Sequence, residues 1–367
     1  MAIALWYQGG VVVRDFISFQ AAGTILWETP EKLYDLSEQL KVQRNLGLQG
    51  DEFVPFAYPP IVAVFFVPSR FLSLESFFVA MLVANLLLLF AVLLLAIRRL
   101  HLDTRQAETM LLVASTAFPV YFNLIAGQLG FVSQLFYVLF VSELLKEDSR
   151  KSGFWVGALS FKPTLMAIPL GILLWRRDWR NLMRAAVVTI AMTAAALPVV
   201  GWTGLRQQVR LMHAMGTSPV ALKNLPAMQN LRAASHYVGL GDTGWILASA
   251  LVVLGLALAL RRRRWERWSI SASLLAAVLI PPHLHAYDLV VLIILPALGF
   301  PTSNWHQRFY VALGLLPLVQ FVFHRQFPAT PLILFVLFWL CVYRSGREAA
   351  APGGPRGNED PADHSSG

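Results

Sequence analysis

Apolar runs of about 15–24 residues, suited to crossing a bilayer as helices, recur along most of the chain and are separated by short arginine- and lysine-rich clusters. Hydrophobic residues make up 56% of the 367, and only 14% are charged. A water-soluble body of this size would lack the polar surface to cover itself. The expected fold is therefore all-α, a polytopic membrane-embedded helical bundle. The formal charge of +9 does not point to nucleic acid, because its basic residues gather between apolar runs, as on the cytoplasmic side of a membrane protein. Cys341 is the single cysteine, so no internal disulfide and no multi-cysteine metal site is available.

The runs can be threaded in order. Residues 1–13 are apolar but short for a crossing, which reads as a truncated first helix, with no cleavable signal peptide. Residues 16–45 have apolar side chains at 16, 19, 22, 26 and 33 with acids between them, the pattern of an amphipathic helix on the outer surface. The stretch 56–72 contains Tyr58-Pro59-Pro60, Pro68 and Arg70 and reads as a re-entrant or surface-lying piece. Run 75–97 crosses inward to Arg98-Arg99, and 107–125 with 128–145 form a hairpin returning to Lys146 and Lys151.

Residues 153–175 are flanked by basic residues at both ends, so a single crossing would strand arginines outside. Two half-helices hinged at Lys162-Pro163 fit better. Run 182–200 crosses outward to a second outer loop, 201–242, and 243–260 returns to Arg261–Arg264. Runs 268–282, 289–300, 309–323 and 331–343 complete the bundle. Residues 1–348 thus form one transmembrane domain, and the Pro-, Gly- and Ser-rich 349–367 a disordered cytoplasmic tail. With this threading the excess of basic residues falls on the cytoplasmic side.

Four polar features on the outer side or at depth carry candidate chemistry. Asp15 stands where the apolar start meets the first wet segment; it is either an ordinary helix-capping acid or a catalytic carboxylate. Lys162 lies inside an apolar run, so it either snorkels, pairs with a helix end, or forms an anion site. Pro281-Pro282-His283-Leu284-His285-Ala286-Tyr287-Asp288 concentrates two histidines, a tyrosine and an acid. It is either a polar turn or a set of groups for phosphate or sugar hydroxyls. The loop 201–242 carries Arg206, Arg210, His213, Lys223, Gln229-Asn230, Arg232 and His236, a basic set on an otherwise neutral side. Gly127-Gln128 and Asn123 read, on their own, as the outer turn of a hairpin. No acid-x-acid pair, Gly-rich phosphate loop or HExxH occurs.

The succession D-F…A-A-G…L-Y-D, F-A-Y-P-P, A-G-Q, F-K-P, Q-N-L and H-L-H-A-Y-D, in this order over about residues 13–300, resembles glycosyltransferase family 87. That family belongs to the GT-C membrane glycosyltransferases and includes mycobacterial mannosyltransferases. The resemblance implies a polyprenyl-phosphate sugar donor, usually of mannose, and a glycolipid or glycan acceptor. It implies inverting, metal-independent transfer with no cofactor beyond the lipid-linked co-substrate. It also implies a bacterial cytoplasmic membrane location with the active site on the periplasmic side. By match to the family's motifs, Asp15 would be the general base. Lys162, His283, His285 and Asp288, with Tyr58, Gln128 and the weaker choice Arg232, would hold the donor phosphate and sugar. Two rival readings remain open: a transporter or flippase for a lipid-linked substrate, and an O-antigen-type polymerase or ligase that would rely on Arg206, Arg210 and His213.

Overall fold

The computed structural model describes residues 15–48, 53–146, 150–217, 225–261, 267–298, 304–322 and 328–348. The expectations for residues 1–13 and for the tail from 349 fall outside these, as do Lys223 and Arg262–Arg264. Among the described residues the architecture is helical throughout, without a named strand.

The chain enters as α1, Asp15–Glu28, followed by a 3-10 turn and α2, Leu36–Asn45, whose N-terminus is capped by the Asp35 carboxylate. α1 differs from the surface-lying helix expected of residues 16–45. Phe16 to Gly23, Ile25 and Leu26 are buried, so α1 is covered on nearly every side. The acids that suggested amphipathicity, Glu28, Glu31 and Asp35, all follow its apolar positions instead of alternating with them. The amphipathic element is α2 alone.

α1 is clamped by an elbow made of α3, Pro60–Phe66, and a 3-10 turn, Val67–Phe71. Gln20 donates its side-chain amide to the carbonyls of Ser69 and Leu72, both at 3.0 Å, which ties the end of the elbow to α1. Gly23 permits the approach: a Cβ there would stand 2.1 Å from the Phe66 carbonyl oxygen.

The spans follow. α4, Leu74–Arg99, is the longest uninterrupted apolar helix, opening on a Ser73 cap and closing on Arg98-Arg99. α5, Thr104–Thr116, and α6, Phe118–Ala126, meet at a 51° bend at Ala117, where Pro119 opens the second half. α7, Gly130–Leu144, returns. α8, Ser152–Ala158, and α9, Pro163–Trp175, are separated by a short 3-10 turn and by Lys162, whose backbone (φ −134°, ψ 77°) is not helical. The hinge expected at Lys162-Pro163 is thus where the helix breaks, and neither half reaches the ~20 residues of a full span.

α10, Trp179–Thr217, breaks at Gly201 (φ 64°, ψ 179°), where the apolar run ends, and then continues as helix instead of opening into a loop. α11, Leu231–Tyr237, precedes α12, Gly241–Leu260, and α13, Arg267–Leu279. After the H-L-H stretch comes a 3-10 helix, Ala286–Leu298, then α14, Asn304–Val322, and α15, Ala329–Glu348.

Among the described residues four helices (α4, α10, α12 and α15) are long and apolar enough to cross a membrane, and the bent α5–α6 pair makes a fifth. The protein is a multi-pass membrane protein. Its centre is α13 and the 3-10 helix: every residue from Trp268 to Leu279 is buried, and only Leu292 of Ala286–Leu298 is not. Helices apolar on all faces belong in the middle of a bundle. The 3-10 helix packs against α5, α6, α7 and α13, so whatever it carries at its N-terminus is held from several sides.

Because a Cβ at Gly23 would clash with backbone atoms of Phe66 and not with a flexible side chain, Gly23→Ala is expected to destabilise by about 1–3 kcal/mol, read as a lower thermal midpoint in detergent. Gly171→Ala is the control: open space surrounds that position, and the midpoint should hold or rise.

Candidate active site

Asp15 is the first residue of α1 and half-buried. Its Oδ2 accepts a hydrogen bond from Gln128 Nε2 at 2.6 Å, across 113 residues of sequence. Two glycines deliver Gln128. Gly127 ends α6 in the left-handed region (φ 62°), and a Cβ there would lie 2.7 Å from Phe16 Cβ, so the turn can seat on the start of α1 only without a side chain. On the far side, Gly130 N donates to Asn123 Oδ1 at 2.9 Å, and a Cβ on Gly130 would meet the Tyr287 carbonyl oxygen at 2.8 Å. The turn is wedged between α1 and the H-L-H-A-Y-D segment.

Tyr58 closes the first half of the site. Its hydroxyl donates to Gln128 Oε1 at 2.9 Å. Its carbonyl accepts from the Tyr34 hydroxyl at 2.7 Å, and its ring lies 5.3 Å from that of Phe19 and 5.8 Å from that of Phe56. The run Tyr58–Gln128–Asp15 is thus a fixed hydrogen-bonded relay from three separate pieces of chain.

The second half is a buried ion pair. Lys162, freed from helical geometry by the α8–α9 break, bonds the Asp288 carboxylate. Its ammonium also sits 5.0 Å from the Tyr287 ring centre and 6.0 Å from that of Tyr58. An unpaired ammonium in this surrounding would cost several kcal/mol, so Asp288 is the answer to the lysine that an apolar run carries. Phe122 stacks on Tyr287 at 5.7 Å and fixes that face.

Asp288 Oδ2 accepts from the His285 backbone N–H at 3.3 Å. The Nε2 atoms of His285 and His283 are 3.1 Å apart. One of them must carry a proton and the other must not, which leaves the two rings in unequal tautomers. Burial pushes the His283 imidazole below its ordinary value, favouring its neutral form. Its Nδ1 is buried without a partner among the described residues, the state of an atom positioned for a bound group or water.

Asp288 acts on Asp15 from the neighbouring pair. Burial pushes the Asp15 carboxyl above its usual range. The Gln128 hydrogen bond and then the Lys162 charge pull it down, while Asp288 adds to the upward push. The net result is a carboxyl more basic than an exposed aspartate.

Arg232 bears on the site through its charge, which adds to the downward push on His283, while its own fork goes to another acid. It is buried on α11, forked onto Asp242 at 2.6 and 3.0 Å, and stacked over Trp245 at 5.5 Å. This cluster braces the site through backbone groups: Trp245 Nε1 donates to the Ile280 carbonyl, Asn230 Nδ2 to that of Pro281 and Gln229 N to that of Leu284. The loop expected at 201–242 therefore divides. Arg206, Arg210 and His213 are exposed on the helical continuation of α10, whereas Met228–Ser235 are buried and brace the H-L-H turn. Asn230 as a clamp and Asp242 as the partner of Arg232 were missed by sequence reasoning. Only the Q-N-L motif hinted at the first, and Asp242 fell at the end of the loop expected over 201–242, with nothing to mark it.

The sequence profile of Glycosyltransferase family 87 matches residues 56–282. That range holds Tyr58, Gln128 and Lys162 and ends one residue before His283. The chain belongs to this family. It is also 35% identical over 151 residues to an alpha-(1->3)-arabinofuranosyltransferase of Mycobacterium tuberculosis, found in two strains. The match covers 40% of this chain and 32% of the relative, so the matched stretch spans about a third of the relative's length. No solved structure matches the chain.

Breaking a buried pair from one side costs about 3–5 kcal/mol, whereas replacing both partners with apolar groups is close to neutral. Lys162→Met and Asp288→Leu alone should each lower the thermal midpoint in detergent. The double variant should regain most of the loss.

Proposed function

We propose that the protein is an integral-membrane glycosyltransferase that moves a sugar from a polyprenyl-phosphate donor to a hydroxyl of a lipid or glycan acceptor. The observation that carries this reading is the juxtaposition of a half-buried carboxylate, Asp15, with a cation and histidine cluster on the other side of the Tyr58–Gln128 bridge. Family membership supports it independently.

The chemistry divides between the two halves. Asp15 takes the proton as the acceptor hydroxyl oxygen attacks the anomeric carbon. The bond from that carbon to the donor phosphate breaks, and the electron pair leaves on the phosphate oxygen. Lys162 and the N–H groups of His283 and His285 stabilise the charge that develops there. A phosphate leaves without being protonated, so a second acid is not required. Asp288 keeps Lys162 in place and ionised until the donor phosphate shares it. Direct displacement inverts the anomeric centre, and the scheme needs no metal or cofactor beyond the lipid-linked donor. In this reading the site faces the periplasmic side of a bacterial cytoplasmic membrane.

The resemblance of the motifs favours a hexose, mannose, as the transferred sugar. A second reading, a pentofuranose, is favoured by the name of the mycobacterial relative. Purified protein incubated with labelled polyprenyl-phosphate mannose or polyprenyl-phosphate arabinofuranose separates the two, and transfer from neither donor to any glycolipid acceptor would remove the proposal.

Asp15→Asn should lower transfer by about 10²–10⁴-fold while leaving membrane insertion and detergent behaviour unchanged; full activity would refute the base assignment. Lys162→Ala should weaken donor binding more than acceptor binding, seen as a larger rise in the donor KM. Equal effects on both would mark a structural lysine.

A further inference from the structure

The amide of Gln128 has a fixed orientation, and the orientation has a consequence for Asp15. An ionised carboxylate only accepts hydrogen bonds, so the amide must turn its NH2 toward Asp15 and its carbonyl toward Tyr58. Tyr58 must then donate, as the 2.9 Å contact to Oε1 allows. The reversed amide would set carbonyl oxygen against carboxylate oxygen. At 2.6 Å the Gln128–Asp15 contact is shorter than an ordinary N–H···O hydrogen bond, the direction in which an ionised acceptor shortens it. It occupies Oδ2 alone, and Oδ1 accepts no hydrogen bond among the described residues.

The frame around this contact is stiff. Tyr58 is tied through its own carbonyl to Tyr34, and Gln128 follows a left-handed glycine jammed against Phe16. The titratable groups that bear on Asp15 come from every neighbouring piece: Lys162 from the α8–α9 break, Asp288 and Tyr287 from the 3-10 helix, and Tyr58 from the stretch before α3. Among the described residues, Gln128 is the side chain that hydrogen-bonds the carboxylate directly.

We propose that Gln128 is a positioning residue for the base: it holds Asp15 by Oδ2 and reserves Oδ1 as the oxygen that receives the acceptor's proton. The same hydrogen bond favours the ionised carboxylate at neutral pH. Tyr58 acts one step back, by locking the amide the right way round. The inference rests on the assignment of Asp15 as base and adds a role that the donor-binding expectation for Gln128 did not contain.

The sign of the effect follows from the charge. A donor to the ionised form lowers the pKa of an acid, so its removal raises it. A base works only when ionised, so transfer is present above that pKa and lost below it. Gln128→Leu therefore moves the acidic limb of the kcat–pH profile to higher pH. A hydrogen bond to a charged group corresponds to a shift of about 1–2 pH units. Activity of the variant should recover substantially on going to alkaline pH, and the donor KM should change little. Tyr58→Phe, which frees the amide to turn, should shift the limb in the same direction by less. Gln128→Glu places a second carboxyl against Asp15 and should shift it further than Gln128→Leu.

The experiment is the pH profile of transfer by the wild-type enzyme and the three variants in detergent, each first checked for a single gel-filtration peak, with Asp15→Asn alongside. An inactive Asp15→Asn together with acidic limbs unmoved in every folded variant would overturn the role of Gln128 and leave the base intact. A uniform loss at all pH values would do the same, marking Gln128 as merely structural. An active Asp15→Asn would remove the base itself.

Discussion

A single ammonium group inside an apolar run sets the terms for the rest of this molecule. Lys162 cannot sit in the bundle interior uncompensated, and its partner arrives from 126 residues further along, on the segment that the fold buries most completely. The ion pair therefore ties the α8–α9 break to the central 3-10 helix. Its value lies less in net stability, which buried pairs seldom supply, than in registering one element against another. With Tyr287 and Tyr58 placed around it, the pair also keeps a positive charge at the centre of the site in a low-dielectric surrounding, where its action on an anion is strongest.

The helix break is what makes this possible. In a continuous helix Lys162 would present its side chain on a face fixed by its neighbours. The non-helical backbone at Lys162 and the proline after it release that constraint. The same device recurs at Gly127, where α6 ends so that Gln128 can be turned onto Asp15, and at Ala117, where α5 and α6 bend before the turn. Irregular backbone at membrane depth is tolerated where it is buried in protein or lines a cavity. Here two of the irregular points, Gly127 and Lys162, coincide with the groups of the site.

Much of this was legible in the chain. Long apolar runs gave away the bundle, basic clusters its loops, and Lys162-Pro163 the hinge, because each signal is local and strong. Gly201 likewise ends its run where composition changes. What escaped was pairing at a distance. Nothing in the neighbourhood of Lys162 names Asp288, and nothing around Arg232 distinguishes its fork onto Asp242 from a contact with a ligand. Of the surface position expected for residues 16–45, the α1 part failed for a related reason. Apolar spacing tells which residues seek cover, and the elbow at Pro60–Phe71 that covers α1 on its remaining side is made by a different segment. The H-L-H-A-Y-D cluster was visible as an anomaly of composition, but its bracing by Asn230 and Gln229 depends on a loop that folded inward.

The site is thus two compartments with different mechanical character. Asp15, Gln128 and Tyr58 are joined by hydrogen bonds of defined direction on glycine-seated backbone, which would suit the proposed base, whose proton-accepting oxygen must keep its aim. Lys162, Asp288, His285 and His283 form a chain in which the lysine already has a partner and, among the described residues, the His283 Nδ1 has none. In the proposed reaction an incoming phosphate would share the first and satisfy the second without exposing a bare charge at any stage. Where an uncompensated charge is costly, that ordering would let the proposed anionic donor group enter the bundle by exchanging partners.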